Sequence, residues 1–146
     1  MDGFYIQSMK NTQEINTLYH SIFQIHFHLV LVTKYRKKCI TQPMLHRLEE
    51  IFSQLCIRWE CELKEFNGEA DHVHLLIASN PKVQPTKLIN NFKTVSARYL
   101  RKEYQQHLKQ FYWKPTFWSR SYCLLSCGGA PLSIIKQYIQ QQDEIS

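Results

Sequence analysis

Long apolar runs are missing from this 146-residue sequence. The longest candidate, residues 27–32, is far shorter than the roughly 20 residues that a membrane-spanning helix needs. No secretory signal is recognisable near the first residues, and no repeat, low-complexity tract or linker divides the chain. We therefore expect one domain over residues 1–146 in a cytoplasmic protein without contact to membranes. A polar lead-in at 1–20 is expected to be either partly disordered or a short helix.

Paired cysteines are also missing. The chain has five cysteines, an odd number, and none of them form a C-x-x-C pair. This pattern argues against a disulfide framework and against a zinc finger. Apolar residues make up 44% and charged residues 21% of the chain, which excludes a disordered or coiled-coil protein. A chain of this length can bury a full core without a structural metal.

Acidic residues are fewer than basic ones. The chain has 12 Asp and Glu and 18 Lys and Arg, which gives a net charge of +6. The basic residues form two clusters, namely Lys34, Arg36, Lys37 and Lys38, and then Lys93, Arg98, Arg101 and Lys102. Aromatic residues lie among them in sequence: Tyr35, Tyr99, Tyr104, Tyr112, Trp113, Phe117 and Trp118. Exposed aromatic rings beside basic residues suit stacking on unpaired bases, whereas ordinary solvated faces remain an equal alternative from charge alone.

The apolar spacing predicts strands and helices in alternation. Strands are predicted over residues 22–34, 61–66, 71–78 and 118–126, and helices over 41–59, 86–104 and 132–143. Turns are predicted at Asn67-Gly68 and Gly128-Gly129. The order β-α-β-β-α-β-α predicts an α+β fold of the ferredoxin-like type, an antiparallel sheet with helices packed on one face.

Two His-x-His pairs are candidates for a metal site. In each pair, His72 with His74 and His26 with His28, the side chains leave one face of a predicted strand about 7 Å apart. Two imidazoles at this spacing can converge on one divalent ion, although two solvent-facing polar residues would show the same pattern. Spacing alone does not choose between the pairs.

The last predicted helix presents Tyr138 and Gln142 four residues apart, and therefore on one face. A phenol can attack phosphorus and keep the energy of the phosphodiester for a later rejoining step. A structural role for both residues is the alternative.

Five segments together resemble the HUH single-tyrosine transposases of the insertion-sequence-200/605 type. They are HFHLVLVTKYRKK (26–38), ADHVHLLI (70–77), LINNFKTVSARYLRKEY (88–104), FWSRSY (117–122) and GGAPLSIIKQYIQQQ (128–142). The resemblance covers residues 18–143 in the family's order. The family's signature of histidine, hydrophobic residue and histidine reads His72-Val73-His74 here.

The resemblance implies a homodimeric DNA transposase that cleaves and rejoins single-stranded DNA at the ends of an insertion sequence. His72, His74 and Gln142 would bind Mg²⁺, or Mn²⁺ in its place, and Tyr138 would form the 5′-phosphotyrosine intermediate. The helix at 130–143 would be a mobile catalytic helix, often placed beside the His pair of the other subunit. DNA with hairpin ends would be held by basic residues: Lys34, Arg36, Lys37, Lys38, Lys93, Arg98, Arg101 and Arg120. No small-molecule cofactor is expected.

Two other functions remain open at this stage. One is a non-catalytic protein that binds DNA or RNA hairpins and keeps the fold. The other is a metal-dependent nuclease that activates water and needs no tyrosine. Trp118, Arg120 and Tyr122 on the last predicted strand are expected either to pack a dimer interface or to contact DNA.

Overall fold

The computed structural model describes residues 25–126, 137 and 139–141. Its elements are β1 Ile25–Thr33, a 3-10 turn Lys34–Arg36, α1 Gln42–Arg58, β2 Glu62–Glu69, β3 His72–Ser79, α2 Pro85–Glu103, a short α3 Gln105–Leu108 and β4 Trp118–Ser126. The predicted lead-in at 1–20, the start of the first strand and the Gly128-Gly129 turn lie outside the described residues. Of the predicted helix at 132–143, only residues 137 and 139–141 are described, and these are helical.

The four strands form one antiparallel sheet in the order β2-β3-β1-β4. β3 therefore lies between the strand that precedes it and β1, as the ferredoxin-like prediction requires. This sheet with its helices confirms the predicted α+β class. None of the helices in the described part is both long enough and apolar enough to cross a membrane.

The main core lies between one face of the sheet and the two long helices. α1 begins after Thr41, whose Oγ1 accepts a hydrogen bond from the Met44 N–H at 3.4 Å. The buried residues of α1 recur at helical spacing, and this face packs against the sheet together with α2. The fully buried side chains of this core include Met44, Leu48, Phe52, Leu75, Ile77, Leu88 and Phe92. Alternation along β1 and β3 then sends the intervening residues to the opposite face.

That opposite face carries a smaller apolar cluster. Val30 and Val32 of β1 are fully buried there together with Ile139, which is 8% exposed. Cys123 and Leu125 of β4 pack against them. Ile139 therefore packs on the face of the sheet that the two long helices leave open.

The hairpin between β2 and β3 corrects one prediction. Asn67 and Gly68 do not turn the chain but pair with His74 and Val73, and the turn comes at residues 70–71. A Cβ at Gly68 would lie 2.5 Å from Leu45 Cδ2 and 3.1 Å from the His72 carbonyl oxygen, so a larger residue here would require the Leu45 side chain to shift. The Asn-Gly pair thus lies within β2, where the glycine leaves room for Leu45 of α1.

Candidate functional site

His72 and His74 lie on the sheet face opposite the main core. In the sheet register His72 pairs with Val32 and His74 with Val30, the two valines of the smaller cluster. Both imidazoles are half-buried, whereas Val73 between them is fully buried in the main core. Residues i and i+2 of a strand share a face, so the two rings leave the sheet side by side.

Asp71 holds the first of these rings. The carboxylate is buried at the β2–β3 turn, and its Oδ1 accepts a hydrogen bond from His72 Nδ1 at 2.9 Å. Its other oxygen, Oδ2, accepts from Arg36 Nε at 2.7 Å. Burial raises the pKa of the Asp71 carboxyl, but the bonds from His72 and Arg36 outweigh it and leave this pKa below its ordinary value. Since Nδ1 of His72 carries the donated proton, Nε2 is free of it and can bind a metal.

Arg36 reaches Asp71 from a tight turn with unusual backbone angles. Tyr35 and Arg36 have φ of 59° and 53°, a left-handed conformation that residues with a side chain seldom adopt. Thr33 Oγ1 donates to the Lys37 carbonyl at 2.7 Å, and Tyr112 donates its hydroxyl proton to the Lys34 carbonyl at 2.6 Å. These bonds fix the turn, and the turn directs Arg36 towards the histidine site.

A third histidine contacts the pair. His28 Nδ1 lies 2.8 Å from His74 Nε2, and the two rings stack with centroids 4.9 Å apart. Burial lowers the pKa of His74. The charges of His28 and His72 lower this pKa further, whereas the charge of Glu65 raises it. His74 is therefore held as the neutral imidazole, the form that binds metals.

The structure separates the two His-x-His pairs that spacing left equivalent. His28 belongs to the same cluster as His74, whereas His26 pairs with Ala78 at the far end of β1. The sequence contained a signal for His28, because it shares the alternation phase of Val30 and Val32. Nothing in the sequence indicated the strand register that brings His28 to His74.

The donor set fits a divalent metal. Two imidazoles share one face, and a buried carboxylate fixes the tautomer of His72. Within residues 25–126 and the described part of the last helix, no three His, Cys, Asp or Glu side chains are grouped so as to hold an ion by themselves. Gln142 and Tyr138, the predicted third ligand and nucleophile, lie outside the described residues.

The predicted DNA-binding residues fall into three groups. Lys38, Arg98 and Arg120 are exposed, and Lys34, Lys37 and Arg101 border surface cavities. Arg36 is engaged with Asp71. Lys93 is half-buried and donates to the Arg120 carbonyl at 3.0 Å, and burial lowers its pKa, as do the charges of Lys34 and Arg120. Most of these side chains are accessible to a polyanion, whereas Arg36 and Lys93 already have protein partners.

The expectation of exposed aromatic rings is wrong for three residues. Tyr112, Phe117 and Trp118 are buried in the main core, and Trp118 donates its Nε1 proton to Ser96 Oγ at 2.9 Å. Trp118 is therefore core, neither a dimer contact nor a DNA contact. Trp113, by contrast, is 89% exposed, and Tyr35 is 60% exposed.

Sequence comparison places the chain among mobile-element proteins. A family model described as "Transposase IS200 like" matches residues 21–142. The ISDra2 transposase TnpA of Deinococcus radiodurans is 28% identical over 123 residues, which cover 84% of this chain and 87% of that protein. The transposase for insertion sequence element IS200 of Salmonella typhimurium is 27% identical over 128 residues, or 88% of this chain and 83% of the relative.

Structural comparison agrees with the sequence comparison. A crystal structure of a candidate transposase from Deinococcus radiodurans superimposes with a TM-score of 0.75 at 29% sequence identity. The superposition covers 82% of this chain and 92% of that one. The likeness therefore extends over the fold described above.

Proposed function

Because the chain belongs to the IS200-like transposase family, we propose that it cleaves and rejoins single-stranded DNA at insertion-sequence ends through a covalent bond to Tyr138. The observation that carries this proposal is the composition of one sheet face. His72 and His74 leave it side by side, and Ile139, the residue after Tyr138 in sequence, is buried on the valines that pair with them.

His72 and His74, joined by Gln142, would hold the divalent ion in this proposal. A bound Mg²⁺ or Mn²⁺ would polarise the scissile phosphate and offset charge on the leaving oxygen. Asp71 accepts the proton of His72 Nδ1 and so presents Nε2 to the ion, while Arg36 keeps that carboxylate ionised and in place. The lowered pKa of His74 favours its neutral form, whose Nε2 also contacts His28 Nδ1.

Tyr138 would act as the nucleophile. Attack of its phenolate oxygen on phosphorus forms the tyrosine–phosphate bond and breaks the bond to the 3′ oxygen, which leaves as a 3′-hydroxyl after taking up a proton. A second 3′-hydroxyl then attacks the phosphotyrosine and releases Tyr138. Atoms balance without water, which distinguishes this reaction from hydrolysis.

We extend the proposal to a homodimer that binds DNA hairpins. β4 is an edge strand of the sheet in the described part of the chain, and unpaired edges favour pairing with another chain. The net charge of +6 suits the phosphates of a hairpin. Sedimentation of the free protein would show the dimer, and a monomer at all concentrations would contradict this part of the proposal.

End-labelled single-stranded DNA that carries an insertion-sequence end tests the chemistry. Incubation with Mg²⁺ should give a covalent protein–DNA adduct on a denaturing gel. Tyr138→Phe should abolish the adduct and leave hairpin binding nearly unchanged, because only the attacking oxygen is lost. Tyr99→Phe, at a tyrosine whose side chain is exposed, is the matched control and should form the adduct normally.

Each alternative gives a different pattern in the same experiment. Cut DNA without an adduct would indicate a nuclease that activates water. A gel shift without any cutting would indicate a hairpin-binding protein without catalysis. Full adduct formation by Tyr138→Phe would remove this tyrosine from the mechanism.

A further inference from the structure

Trp113 stands out on the surface because it is 89% exposed, the highest exposure among the large apolar side chains of the described residues. The other two tryptophans are packed within the protein, since Trp118 is buried and Trp59 is half-buried with its Nε1 proton donated to Asn91. A single exposed apolar side chain is ordinary by itself, so the surroundings of Trp113 decide whether it belongs to a binding surface.

Two cavities meet at Trp113. The larger, about 440 Å³, is lined by Lys34, Tyr35, Lys37 and Phe111 in addition to four residues that it shares with the second cavity. The second, about 250 Å³, adds Arg101, Gln105, Leu108, Lys109 and Pro115. The shared residues are Tyr112, Trp113, Lys114 and Thr116. The larger volume lies within the roughly 300–1,000 Å³ of small-molecule sites.

The linings of both cavities combine basic charge with aromatic rings. Five basic side chains border them, and no described residue in either lining is acidic: Lys34, Lys37, Arg101, Lys109 and Lys114. Lys114 Nζ lies 5.0 Å from the Trp113 ring centroid, and Lys34 Nζ lies 5.2 Å from that of Tyr35. Cations beside exposed rings suit a ligand that has both a flat apolar group and a negative charge.

A second copy of the chain is a poor occupant for this surface. In a twofold dimer the same patch meets itself, so five positive charges would face five positive charges. A nucleotide strand has the opposite character, since its phosphates are anionic and its bases stack on aromatic rings whatever their sequence. Charge and ring chemistry therefore favour single-stranded nucleic acid.

We propose that Trp113 is a stacking platform for unpaired bases of single-stranded DNA, with the lysines of the two adjoining cavities holding the flanking phosphates. This inference rests on the proposed function for its choice of DNA. It adds a binding site apart from the histidines and names its ligand as unpaired nucleotides.

The turn Lys34–Arg36 links this platform to the histidine site. Lys34 and Tyr35 line the larger cavity, and Arg36, the next residue, binds Asp71 beside His72. A strand seated in the cavity thus contacts the turn that supports His72. The platform would hold the single strand near the site where it is cut.

Tryptophan fluorescence provides a direct test. The full chain is titrated with an oligothymidylate of about ten residues, and we expect its emission to be quenched on binding. Trp59→Phe should keep this quenching, and Trp113→Phe should lose it, because only Trp113 is exposed for stacking. Quenching that survives in Trp113→Phe would overturn the proposal.

Affinity for a labelled oligonucleotide gives a second and independent measurement. Trp113→Ala should weaken binding roughly 5- to 140-fold, as expected for the loss of one stacked base, and Trp113→Phe should restore most of it. Ile57→Ala, at another exposed apolar side chain outside both cavities, is the matched control and should bind as the wild type does. If thermal melting shows that Trp113→Ala is folded, and its affinity equals that of the wild type, the proposal is overturned.

Two comparisons separate this proposal from others. Inorganic polyphosphate carries charge without bases, so equal quenching by polyphosphate would refute base stacking. Adduct formation at Tyr138 is scored in parallel, with Mg²⁺ and the single-stranded DNA that carries an insertion-sequence end. An adduct with no effect of Trp113→Ala refutes the platform alone, whereas quenching without an adduct refutes the proposed chemistry and keeps the platform.

Discussion

The bond between Arg36 and Asp71 is the contact whose removal should affect both stability and the histidine site. Asp71 is buried with only 7% of its side chain exposed, and it has two partners, Arg36 and His72. Arg36→Gln would remove the guanidinium charge and leave a neutral amide at the position of Nε, the atom that donates to Asp71. The carboxylate would then remain buried without a charged partner on that side.

The magnitude follows from the burial of the two side chains. Breaking a fully buried pair from one side costs about 3–5 kcal/mol, and a hydrogen bond to a charged group contributes about 1.5–3 kcal/mol. Arg36 keeps 21% of its side chain exposed, so water screens part of the interaction. We therefore expect Arg36→Gln to lower the free energy of unfolding by about 1.5–3 kcal/mol.

Urea denaturation of a double-mutant cycle measures this interaction. The variants are Arg36→Gln, Asp71→Asn and the two combined, and their coupling should be about 1.5–3 kcal/mol if the contact exists in solution. Arg47→Gln, which removes another arginine from an ion pair at the surface, is the control and should cost no more than about 1 kcal/mol. A coupling below about 0.5 kcal/mol would refute the reasoning.

Metal affinity then shows whether the contact serves the site. Loss of a carboxylate that orients a metal-binding histidine lowers metal affinity about 10- to 100-fold. Asp71→Ala should therefore bind Mn²⁺ about 10- to 100-fold more weakly in a titration, and Asp71→Asn, which keeps an acceptor for His72, should lose less. Wild-type affinity in Asp71→Ala would show that Asp71 has only a structural role.

Two further predictions concern the histidines and the helix pair. His72→Ala and His74→Ala should each abolish Mn²⁺ binding in a titration. His26→Ala should keep it, because His26 lies four residues, or about 13 Å, along β1 from Val30, the partner of His74. Mn²⁺ binding by either His72→Ala or His74→Ala would contradict the metal site. Glu103→Gln should lower the free energy of unfolding by about 0.5–1 kcal/mol at pH 7, measured by urea denaturation. Arg47 of α1 donates hydrogen bonds to the Glu103 carboxylate at the end of α2 and lowers its pKa. The effect is small because both side chains remain about a third exposed. A carboxyl group whose pKa is lowered in the folded state stabilises the fold above its pKa in the unfolded chain, about 4.3. The stability difference between Glu103→Gln and the wild type should therefore disappear as the pH falls through the pKa of Glu103 in the folded protein. A difference that persists in acid would contradict the ion pair.

Periodicity was sufficient for most of the fold. Alternating apolar residues predicted β1, β3 and β4, and helical spacing behind Thr41 predicted α1 within one residue at each end. These elements obey local rules, because each has one buried face and a clear boundary signal. The same alternation placed His72 and His74 on one face, since that relation needs no knowledge of the neighbouring strands.

Contacts between distant segments were beyond sequence reasoning. Arg36 was expected to touch phosphates, but it binds Asp71, 35 residues away. Phe117 and Trp118 were expected at the surface and lie in the core, because β4 begins at Trp118, which pairs with Thr33 of β1. Composition indicates that a side chain is basic or aromatic, whereas register and packing decide whether it meets water.

Ile139 offers a test of whether the last segment works where it packs. Its burial on Val30 and Val32 would be incompatible with an unpaired carboxylate, so Ile139→Asp should detach the segment from this sheet face. The adduct at Tyr138 should then form at least tenfold more slowly, while hairpin affinity and the urea midpoint of the rest of the domain change little. Gln140→Asp places the same charge on an exposed neighbour and is the matched control. If Ile139→Asp forms the adduct at the wild-type rate, Tyr138 reaches the phosphate without this contact, and the face that His72 and His74 share is not where the two halves of the site meet.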